Sequence, residues 1–249
     1  MRTKSTPKRL DALVVERGLA DSLPKAQAMI LAGEVAVDGT RADKAGSRFP
    51  QEARIEVTSR AGKYVSRGGL KLEGALQDFA IDPANRNCLD IGSSTGGFTD
   101  CLLQHGAARV YAVDVNVDQL AWKLRQDPRV IRVSRNARSL EATDIPEPID
   151  LIAIDVSFIS VRKILPSAAS VANPGADLLI LIKPQFELPR EDIGAGGIVT
   201  DTALHQKAVT AVREAAAKLA LELLGVRPSH LPGAEGNQEY FLHARKPLR

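Results

Sequence analysis

The sequence CLDIGSSTGGFTD, residues 88–100, joins an apolar strand to a helix through a glycine-rich loop. Gly92 allows the backbone to pass close to a ligand at the strand end, and Gly96 and Gly97 let the helix begin beside the same point. Ligands of open α/β sheets bind at the carboxyl ends of strands. The loop therefore predicts a ligand site.

Strands and helices alternate along most of the chain that surrounds this loop. The predicted strands are Asn87–Ile91, Arg109–Val113, Val130–Val133, Ile149–Ile154, Asp177–Ile182, Leu221–Val226 and Glu239–Ala244. The predicted helices are Gly97–His105, Val117–Arg125, Val161–Val171 and His205–Leu221, with one more around Lys71. Continuous apolar strands separated by helices indicate an α/β, Rossmann-like fold with a seven-stranded, mostly parallel sheet.

Two acidic residues point to the chemical class of the ligand. Asp114 ends the second strand, where a carboxylate can bind both ribose hydroxyls of an adenosine moiety. The loop lacks the G-x-G-x-x-G spacing of a pyrophosphate turn, and Asp90 would repel a pyrophosphate but balance a sulfonium or amino group. These features favour S-adenosylmethionine over NAD. The candidate cofactor residues are Asp90, Gly92, Ser93, Ser94, Thr95, Gly96, Gly97, Asp114 and Asn136, the last as an adenine contact or a plain turn residue.

The first quarter of the chain has a different composition. Residues 1–66 hold 12 Lys and Arg against 8 Asp and Glu, so they carry a net charge of +4, whereas the whole chain carries +3. Two helices are predicted, over residues 8–18 and from Ser22 to Gly33, followed by a strand that turns at Asp38-Gly39 and a further strand at 54–57. A small basic domain of this kind favours a polyanionic partner.

This segment resembles the αL-motif RNA-binding module first described in a small-subunit ribosomal protein. The resemblance lies in Arg9-Leu10-Asp11, in Ser22-x-x-x-Ala26, and in Ile30-x-x-Gly33-x-Val35-x-Val37-x-Gly39. It implies that Lys8, Arg9 and Lys25 contact structured RNA. We therefore predict an RNA-binding domain over residues 1–60, a linker over 61–66 and a methyltransferase domain over 67–249.

Four polar residues occur where a buried core would not select them. Lys71 lies on the helix before the first strand, and Glu239 begins the last one. Asp155 and Lys183 follow apolar strands, so both should face the crevice of the cofactor. A lysine beside apolar surroundings is also favoured in its neutral amine form. We predict that these four residues are catalytic.

The order Lys71, Asp155, Lys183, Glu239 resembles the tetrad of FtsJ-like ribose 2′-O-methyltransferases. With the leading RNA-binding module, the chain resembles the TlyA family, named as hemolysins but acting as rRNA 2′-O-methyltransferases. The shared stretches are SRGGLKL at 66–72, LDIGSSTGGFTDCLLQ-x-GA at 89–107, QLAWKLR at 119–125, DVSFIS at 155–160, LIKPQFE at 181–187 and GGIVTD at 196–201. Residues 116–118 depart from a Gly-Tyr-Gly-like family turn, which leaves the fine shape of the ribose pocket open.

The resemblance implies a mechanism and a substrate. Lys183 would accept the proton of a ribose 2′-hydroxyl while Asp155 holds its amine, and Lys71 with Glu239 would form an ion pair that orients the hydroxyl. Ribosomal RNA or ribosomal subunits would be the partner and a cytidine the modified nucleotide. Phe158 and Phe186 are candidates for stacking on a flipped base, with plain packing as the alternative. Six basic residues between Lys123 and Arg138 form either a second RNA surface or a solvated face.

Other features limit the class of protein. The chain contains no apolar run of the roughly 20 residues that a membrane span needs, and its basic start is not followed by the apolar segment of a signal peptide. Cys88 and Cys101 lack the spacing of a metal site and indicate packing thiols in a reducing cytoplasm. No metal is expected, and the oligomeric state is not indicated. A base-directed methyltransferase, a non-catalytic RNA-binding or ribosome-assembly factor and a membrane-active hemolysin remain alternatives.

Overall fold

The computed structural model describes residues 7–20, 22–31, 33, 35–57, 63–233 and 235–248. The chain divides into two compact units, Met1–Gly62 and Lys63–Arg249, which we call the N-terminal and C-terminal units. Residues 61 and 62 of the predicted linker lie outside the described residues. The rest of that linker, residues 63–66, belongs to the C-terminal unit and leads into a helix that begins at Arg67.

The N-terminal unit is a small α+β domain. Its elements are β1 (Lys8–Arg9), α1 (Leu10–Glu16), α2 (Leu23–Leu31), β2 (Val35–Val37), β3 (Thr40–Ala42), β4 (Arg48–Phe49) and β5 (Ile55–Val57). Strand β2 pairs antiparallel with both β3 and β5, and β1 pairs with β4. The helices α1 and α2 bury apolar residues at helical spacing against β2, among them Leu10, Leu13, Val14, Ala26 and Ile30. This core holds the unit together.

The prediction of one helix over residues 8–18 is wrong at both ends. Lys8 and Arg9 are extended because they pair with Phe49 and Arg48 across the antiparallel ladder. The helix begins only at Leu10 and ends at Glu16. A short sheet contact with a distant segment thus overrides the local helical pattern.

The C-terminal unit alternates strands and helices. Its elements are α3 (Arg67–Asp78), β6 (Asn87–Ile91), α4 (Gly97–Gln104), β7 (Arg109–Asp114), α5 (Trp122–Arg125), β8 (Val130–Ser134), β9 (Ile149–Ile154), α6 (Leu165–Val171), β10 (Ala172–Ile182), α7 (Pro184–Glu187), α8 (Thr202–Lys218), β11 (Glu222–Pro228) and β12 (Tyr240–Arg245). Short 3₁₀ helices at Val117–Gln119 and Val161–Lys163 complete the connections used below.

The strands of this unit form one seven-stranded sheet in the order β11-β12-β10-β9-β6-β7-β8. Strands β10, β9, β6, β7 and β8 are parallel to their neighbours, and β12 runs antiparallel between β10 and β11. The predicted mostly parallel, seven-stranded Rossmann-like sheet is confirmed. Because the chain moves outward from β6 to β8 and returns to β9, the strand order reverses between β6 and β9, and the carboxyl ends of these strands border a crevice.

Both faces of the sheet are buried, which explains the continuous apolar strands. Leu89 and Ile91 of β6 pack into the core on one face, whereas Cys88 packs into the core on the other. Cys101 of α4 belongs to the same second core, and burial raises the pKa of each thiol to about 12. Both cysteines are therefore protonated packing residues, as the sequence predicts.

The prediction of one helix over Val117–Arg125 is also wrong. The 3₁₀ helix ends at Gln119, and the backbone is extended at Leu120 and Ala121 before α5 begins. The amide of Ala121 donates to the carbonyl oxygen of Thr95 at 3.1 Å, and the buried Leu120 packs against the glycine loop. Contacts with the loop 92–97 therefore break the helical periodicity.

Helix α8 covers one face of the sheet. It begins at Thr202 because the side chain of Asp201 accepts a hydrogen bond from the amide of Ala203 at 2.8 Å. Its buried stripe contains His205, Ala208, Val209, Val212 and Ala216. Within the described ranges, no helix combines the length and the apolar composition that crossing a bilayer requires.

Candidate active site

Gly92 lies where three strands end. Its φ is +86°, and a Cβ at this position would lie 2.1 Å from the carbonyl oxygen of Asp155. The amide of Gly92 donates to Val113 at the end of β7, with a distance of 2.9 Å. The amide of Asp155 donates to Ile91 at the end of β6, also at 2.9 Å. A side chain at position 92 would break this junction, so the position requires glycine.

Gly96 and Gly97 bring helices α3 and α4 together beside the loop. Gly96 has a φ of +96° and caps the start of α4. A Cβ on Gly97 would lie 2.1 Å from Ser66 Oγ and 3.0 Å from the amide nitrogen of Gly69. Helix α3 can pack this closely only because the residue is glycine, and the packing carries Lys71 to the rim of the loop.

Two adjoining cavities open at the carboxyl edge of the sheet. The first, of about 190 Å³, is lined by Lys71, Asp155 and the loop residues Gly92, Ser93, Ser94, Thr95 and Gly97. The second, of about 770 Å³, is lined by Asp114, Asn136 and Phe158 as well as by Gly92, Ser94 and Asp155. Three residues are common to both linings, so the cavities adjoin, and we call the two together the cofactor cleft.

Asp114 and Asn136 line this cleft with their polar groups held in place. Asp114 Oδ2 accepts from the amide of Ser94 at 3.0 Å, and its Oδ1 accepts from the amide of Asn116 at 3.1 Å. Asn136 Oδ1 caps a 3₁₀ turn by accepting from the amide of Arg138 at 3.0 Å. Asn136 is therefore a turn residue that also faces the cleft, and Asp114 is the oriented carboxylate at the end of β7.

Asp90 is fully buried beneath the loop, and it lines neither of the two cavities that form the cofactor cleft. Its Oδ2 accepts from the amide and the hydroxyl of Thr99, at 2.8 and 2.6 Å, while Oδ1 has no hydrogen-bond partner in the described part of the chain. Burial raises the pKa of Asp90 to about 7, although the hydrogen bonds from Thr99 favour ionisation. Asp90 can act on a ligand in the cleft through its charge, from behind the loop.

The four residues predicted to be catalytic form two ion pairs. Lys183 Nζ lies 2.5 Å from Asp155 Oδ1, and Lys71 Nζ lies 2.5 Å from Glu239 Oε2. Lys71, Lys183 and Glu239 are each at least nine-tenths buried. Glu239 precedes β12 and does not begin it as predicted. Because Lys71 and Asp155 line the same small cavity, one member of each pair borders the space beside the glycine loop.

Sequence reasoning missed two residues of this site. Ser157 Oγ accepts a hydrogen bond from Lys183 Nζ at 2.8 Å, so the lysine is held by a hydroxyl as well as a carboxylate. Glu187 joins the loop after β9 to the loop after β10: its Oε2 accepts from Ser160 Oγ at 2.6 Å, and its Oε1 accepts from the amide of Val161 at 2.7 Å. Burial raises the pKa of Glu187. The one signal in the sequence for Glu187 was its position as the acidic last residue of the stretch LIKPQFE.

The two predicted aromatic residues lie side by side on these loops. The rings of Phe158 and Phe186 have centroids 5.4 Å apart and are tilted by 51°. The side chain of Phe158 is 92% exposed, and its backbone has a φ of +63°. A bulky residue in this conformation is strained, and an exposed aromatic ring loses the free energy of burial. Phe158 is thus a candidate for ligand contact, whereas Phe186 is partly buried and packs against it.

The three predicted RNA-binding residues of the N-terminal unit differ in whether they form ion pairs within the described part of the chain. Lys8 pairs with Glu16 at 2.8 Å, and the guanidinium of Arg9 binds both oxygens of Asp11 at 3.0 and 2.7 Å. The hydrogen bond from Arg9 holds the pKa of Asp11 at about 2 against its burial. Lys25 is exposed on α2 and forms no ion pair with a described residue. Of the three predicted contacts, Arg9 is held in orientation by Asp11, and Lys25 has no ion-pair partner among the described residues.

The basic stretch from Lys123 to Arg138 is largely neutralised. Four of its six basic residues form ion pairs, namely Lys123 with Asp100, Arg129 with Asp127, Arg132 with Asp118 and Arg135 with Asp144. Among the described residues, Arg125 and Arg138 have no acidic partner. The sequence left a second RNA surface and a solvated face equally open, and these pairs favour the solvated face.

The chain is similar to known proteins over nearly its full length. Residues 64–246 match the model of the FtsJ-like methyltransferase family, and residues 8–55 match that of the S4 domain. The 16S/23S rRNA (cytidine-2′-O)-methyltransferase TlyA of Mycobacterium tuberculosis is 46% identical over 95% of this chain and 89% of its own. Hemolysin A of Brachyspira hyodysenteriae is 42% identical over 94% of this chain and 98% of its own. The solved structure of a hemolysin candidate from Streptococcus thermophilus has a TM-score of 0.76 at 40% identity, covering 97% of this chain and 89% of that one.

Proposed function

Because the chain belongs to the FtsJ-like methyltransferase family, we propose that it is an S-adenosylmethionine-dependent ribose 2′-O-methyltransferase of ribosomal RNA, with a cytidine as its target. The observation that carries the proposal is the pair of buried lysine–carboxylate contacts beside the glycine loop. Burying two lysines with carboxylate partners at the carboxyl edge of the sheet carries a desolvation cost, and such charged clusters beside a cleft are typical of functional sites. The oriented amine of Lys183 suits the activation of a hydroxyl group.

The cofactor cleft fits S-adenosylmethionine. The carboxylate of Asp114, oriented by two backbone amides, is the acceptor for the ribose hydroxyls, and Asn136 lines the same cavity for the adenine. Gly92 leaves room for close approach to the backbone, and the buried Asp90 offsets a positive charge from behind the loop. When bound, S-adenosylmethionine supplies an electrophilic methyl group on a sulfonium.

The residues of the chain then position and deprotonate the ribose hydroxyl. Lys183 is held by Asp155 and Ser157 beside the 2′-hydroxyl. In its unprotonated form, after the ammonium of the ion pair has given up a proton, its amine accepts the hydroxyl proton as the oxygen takes the methyl group. Lys71, which lines the small cavity and is paired with Glu239, fixes the orientation of the hydroxyl. Alignment supplies most of the rate enhancement in a transfer of this type.

Mapping of ribose methylation tests the proposal. We expect isolated 30S or 50S subunits, taken from cells without this gene, to gain a ribose methyl group at a cytidine when incubated with the protein and S-adenosylmethionine. Mass spectrometry of nuclease digests separates ribose from base methylation. Methylation of a base would favour the base-directed alternative, and binding without methylation would favour a non-catalytic assembly factor. A ribosomal substrate also implies a cytoplasmic protein.

The two units are proposed to divide the work. Residues 8–55 match the S4 domain and contain the uncommitted Lys25 and the oriented Arg9, whereas the whole cofactor cleft lies in the C-terminal unit. We therefore expect a protein of residues 63–249 to bind S-adenosylmethionine as the full chain does but to bind ribosomal subunits at least about tenfold more weakly. Calorimetry and filter binding check the two parts. Loss of cofactor binding on truncation would contradict the division.

A further inference from the structure

A third cavity lies next to the cofactor cleft. It has a volume of about 550 Å³ and is formed by the loop after β9, the 3₁₀ helix Val161–Lys163 and α7. Phe158, Ile159 and Lys163 line both this cavity and the cofactor cleft. Ser157, the hydrogen-bond partner of Lys183, also lines the cofactor cleft, so a molecule that reacts beside Lys183 lies next to this third cavity. Its volume is within the range of small-molecule sites, about 300–1,000 Å³.

The cation at the mouth of this cavity is Lys163. The guanidinium of its neighbour Arg162 is already bonded to Glu187: it donates to Oε2 at 3.0 Å and to the carbonyl oxygen at 3.1 Å. Lys163 is exposed and has neither an ion pair nor a side-chain hydrogen bond with any residue that the structure describes. An unpaired lysine between two cavities is suited to a phosphate group.

The interior of the cavity combines an aromatic face with one amide. Phe158 exposes its ring, and Phe186 packs against it. Gln185 is the amide side chain of the lining, and its Oε1 is buried without a hydrogen-bond partner among the described residues. A buried acceptor without a donor costs free energy, which a donor group entering the cavity would recover.

We propose that this cavity binds the nucleotide that is methylated, with Gln185 hydrogen-bonded to the edge of its base and Lys163 bound to its phosphate. The inference rests on the proposed function and extends it to specificity. An aromatic ring, an amide and a cation without a described partner suit the face of a base, the edge of a base and a phosphate group, respectively. Because this cavity adjoins the cofactor cleft, whose lining includes Ser157, the hydrogen-bond partner of Lys183, a nucleotide bound here would direct its ribose towards Lys183.

The phosphate contact is tested by salt dependence. For Lys163→Ala, kcat/KM on the ribosomal subunit that the wild type methylates should fall through KM, and the slope of its logarithm against log[KCl] should decrease by about 0.7–0.9. The control is Lys218→Ala, which removes the same charge at the last residue of α8, on the opposite edge of the sheet from the cleft. We expect it to leave the slope unchanged. A slope for Lys163→Ala equal to that of Lys218→Ala would overturn the inference.

The base contact is tested with the target cytidine replaced by uridine in reconstituted subunits. We expect the wild type to prefer cytidine, and Gln185→Leu to reduce that preference by about tenfold, since one hydrogen bond to the base edge is lost. An unchanged preference in Gln185→Leu would contradict the assignment of Gln185. A wild type that methylates neither subunit would overturn the proposed function and this inference together, whereas an active wild type with unaffected variants would overturn the inference alone.

Discussion

Replacement of Lys183 by alanine is expected to lower kcat for ribose methylation by about 10²–10⁴-fold. The amine of Lys183 lies 2.5 Å from Asp155 and 2.8 Å from Ser157, so it is held in one orientation behind two residues that line the cleft. Its removal takes away the group that accepts the hydroxyl proton but none of the residues that line the cofactor cleft. Single-turnover methylation of ribosomal subunits measures the chemical step directly.

Two measurements separate this effect from misfolding. The affinity of Lys183→Ala for S-adenosylmethionine should remain near that of the wild type, because Asp114 and the glycine loop are unaltered. Lys183→Arg keeps the positive charge, but a guanidinium does not give up its proton, so it should be as inactive as the alanine variant. An arginine variant with wild-type kcat would show that Lys183 acts as a charge and not as a proton acceptor.

The position of this lysine could be predicted because parallel strands end at a common edge. An apolar run that stops at a polar residue marks a carboxyl end, and this is where Asp155 and Lys183 lie. The contact between Lys183 and Ser157 is harder to predict from the sequence. Ser157 is 26 residues away in sequence, and its contact depends on the loop in which Phe158 adopts a positive φ. No periodicity reports such a loop conformation.

The helix predicted over residues 117–125 was wrong for a related reason. The break at Leu120 and Ala121 arises from a hydrogen bond to Thr95 and from packing on the glycine loop, both of which are tertiary. The position of Asp90 before the loop indicates a ligand contact, which stays a prediction; that the side chain is fully buried and bonded to Thr99 could not be predicted from the sequence. The local sequence predicts which residues are buried, but it does not predict which residues they contact.

Asp177 is expected to contribute most to stability among the charged residues of the sheet. It lies at the amino edge, opposite the cleft, and directly across from Arg245 in the β10–β12 pair. Its carboxylate accepts from His243 at 2.9 Å, from Arg86 at 2.8 Å and from Arg245 at 2.7 Å. The side chain is 5% exposed. Asp177→Asn should therefore lower the free energy of unfolding at pH 7 by about 2–4 kcal/mol, because three donors lose a charged acceptor.

The pH dependence of this loss has a definite sign. Burial opposes ionisation of Asp177, but the hydrogen bonds from His243 and the two arginines outweigh it and hold the pKa of Asp177 well below its usual value. A carboxylate with a lowered pKa stabilises the folded state fully above the pKa of the unfolded chain, about 3.9, and less as the pH falls below it. The contribution of this carboxylate should thus be fully present at about pH 5, and the difference in free energy of unfolding between wild type and Asp177→Asn should shrink progressively as the pH falls below about 4.

A surface pair provides the matched control for urea unfolding followed by circular dichroism. Asp192 pairs with Lys207 at 2.5 Å, but the lysine side chain is 58% exposed. Asp192→Asn should therefore cost less than about 1 kcal/mol. Since Asp177 lies at the opposite edge from the cleft, Asp177→Asn should retain wild-type kcat at low temperature, where it stays folded. Equal losses in the two variants, or a loss in Asp177→Asn that does not shrink as the pH falls from about 4 towards 2, would show that the buried carboxylate does not hold this edge of the sheet.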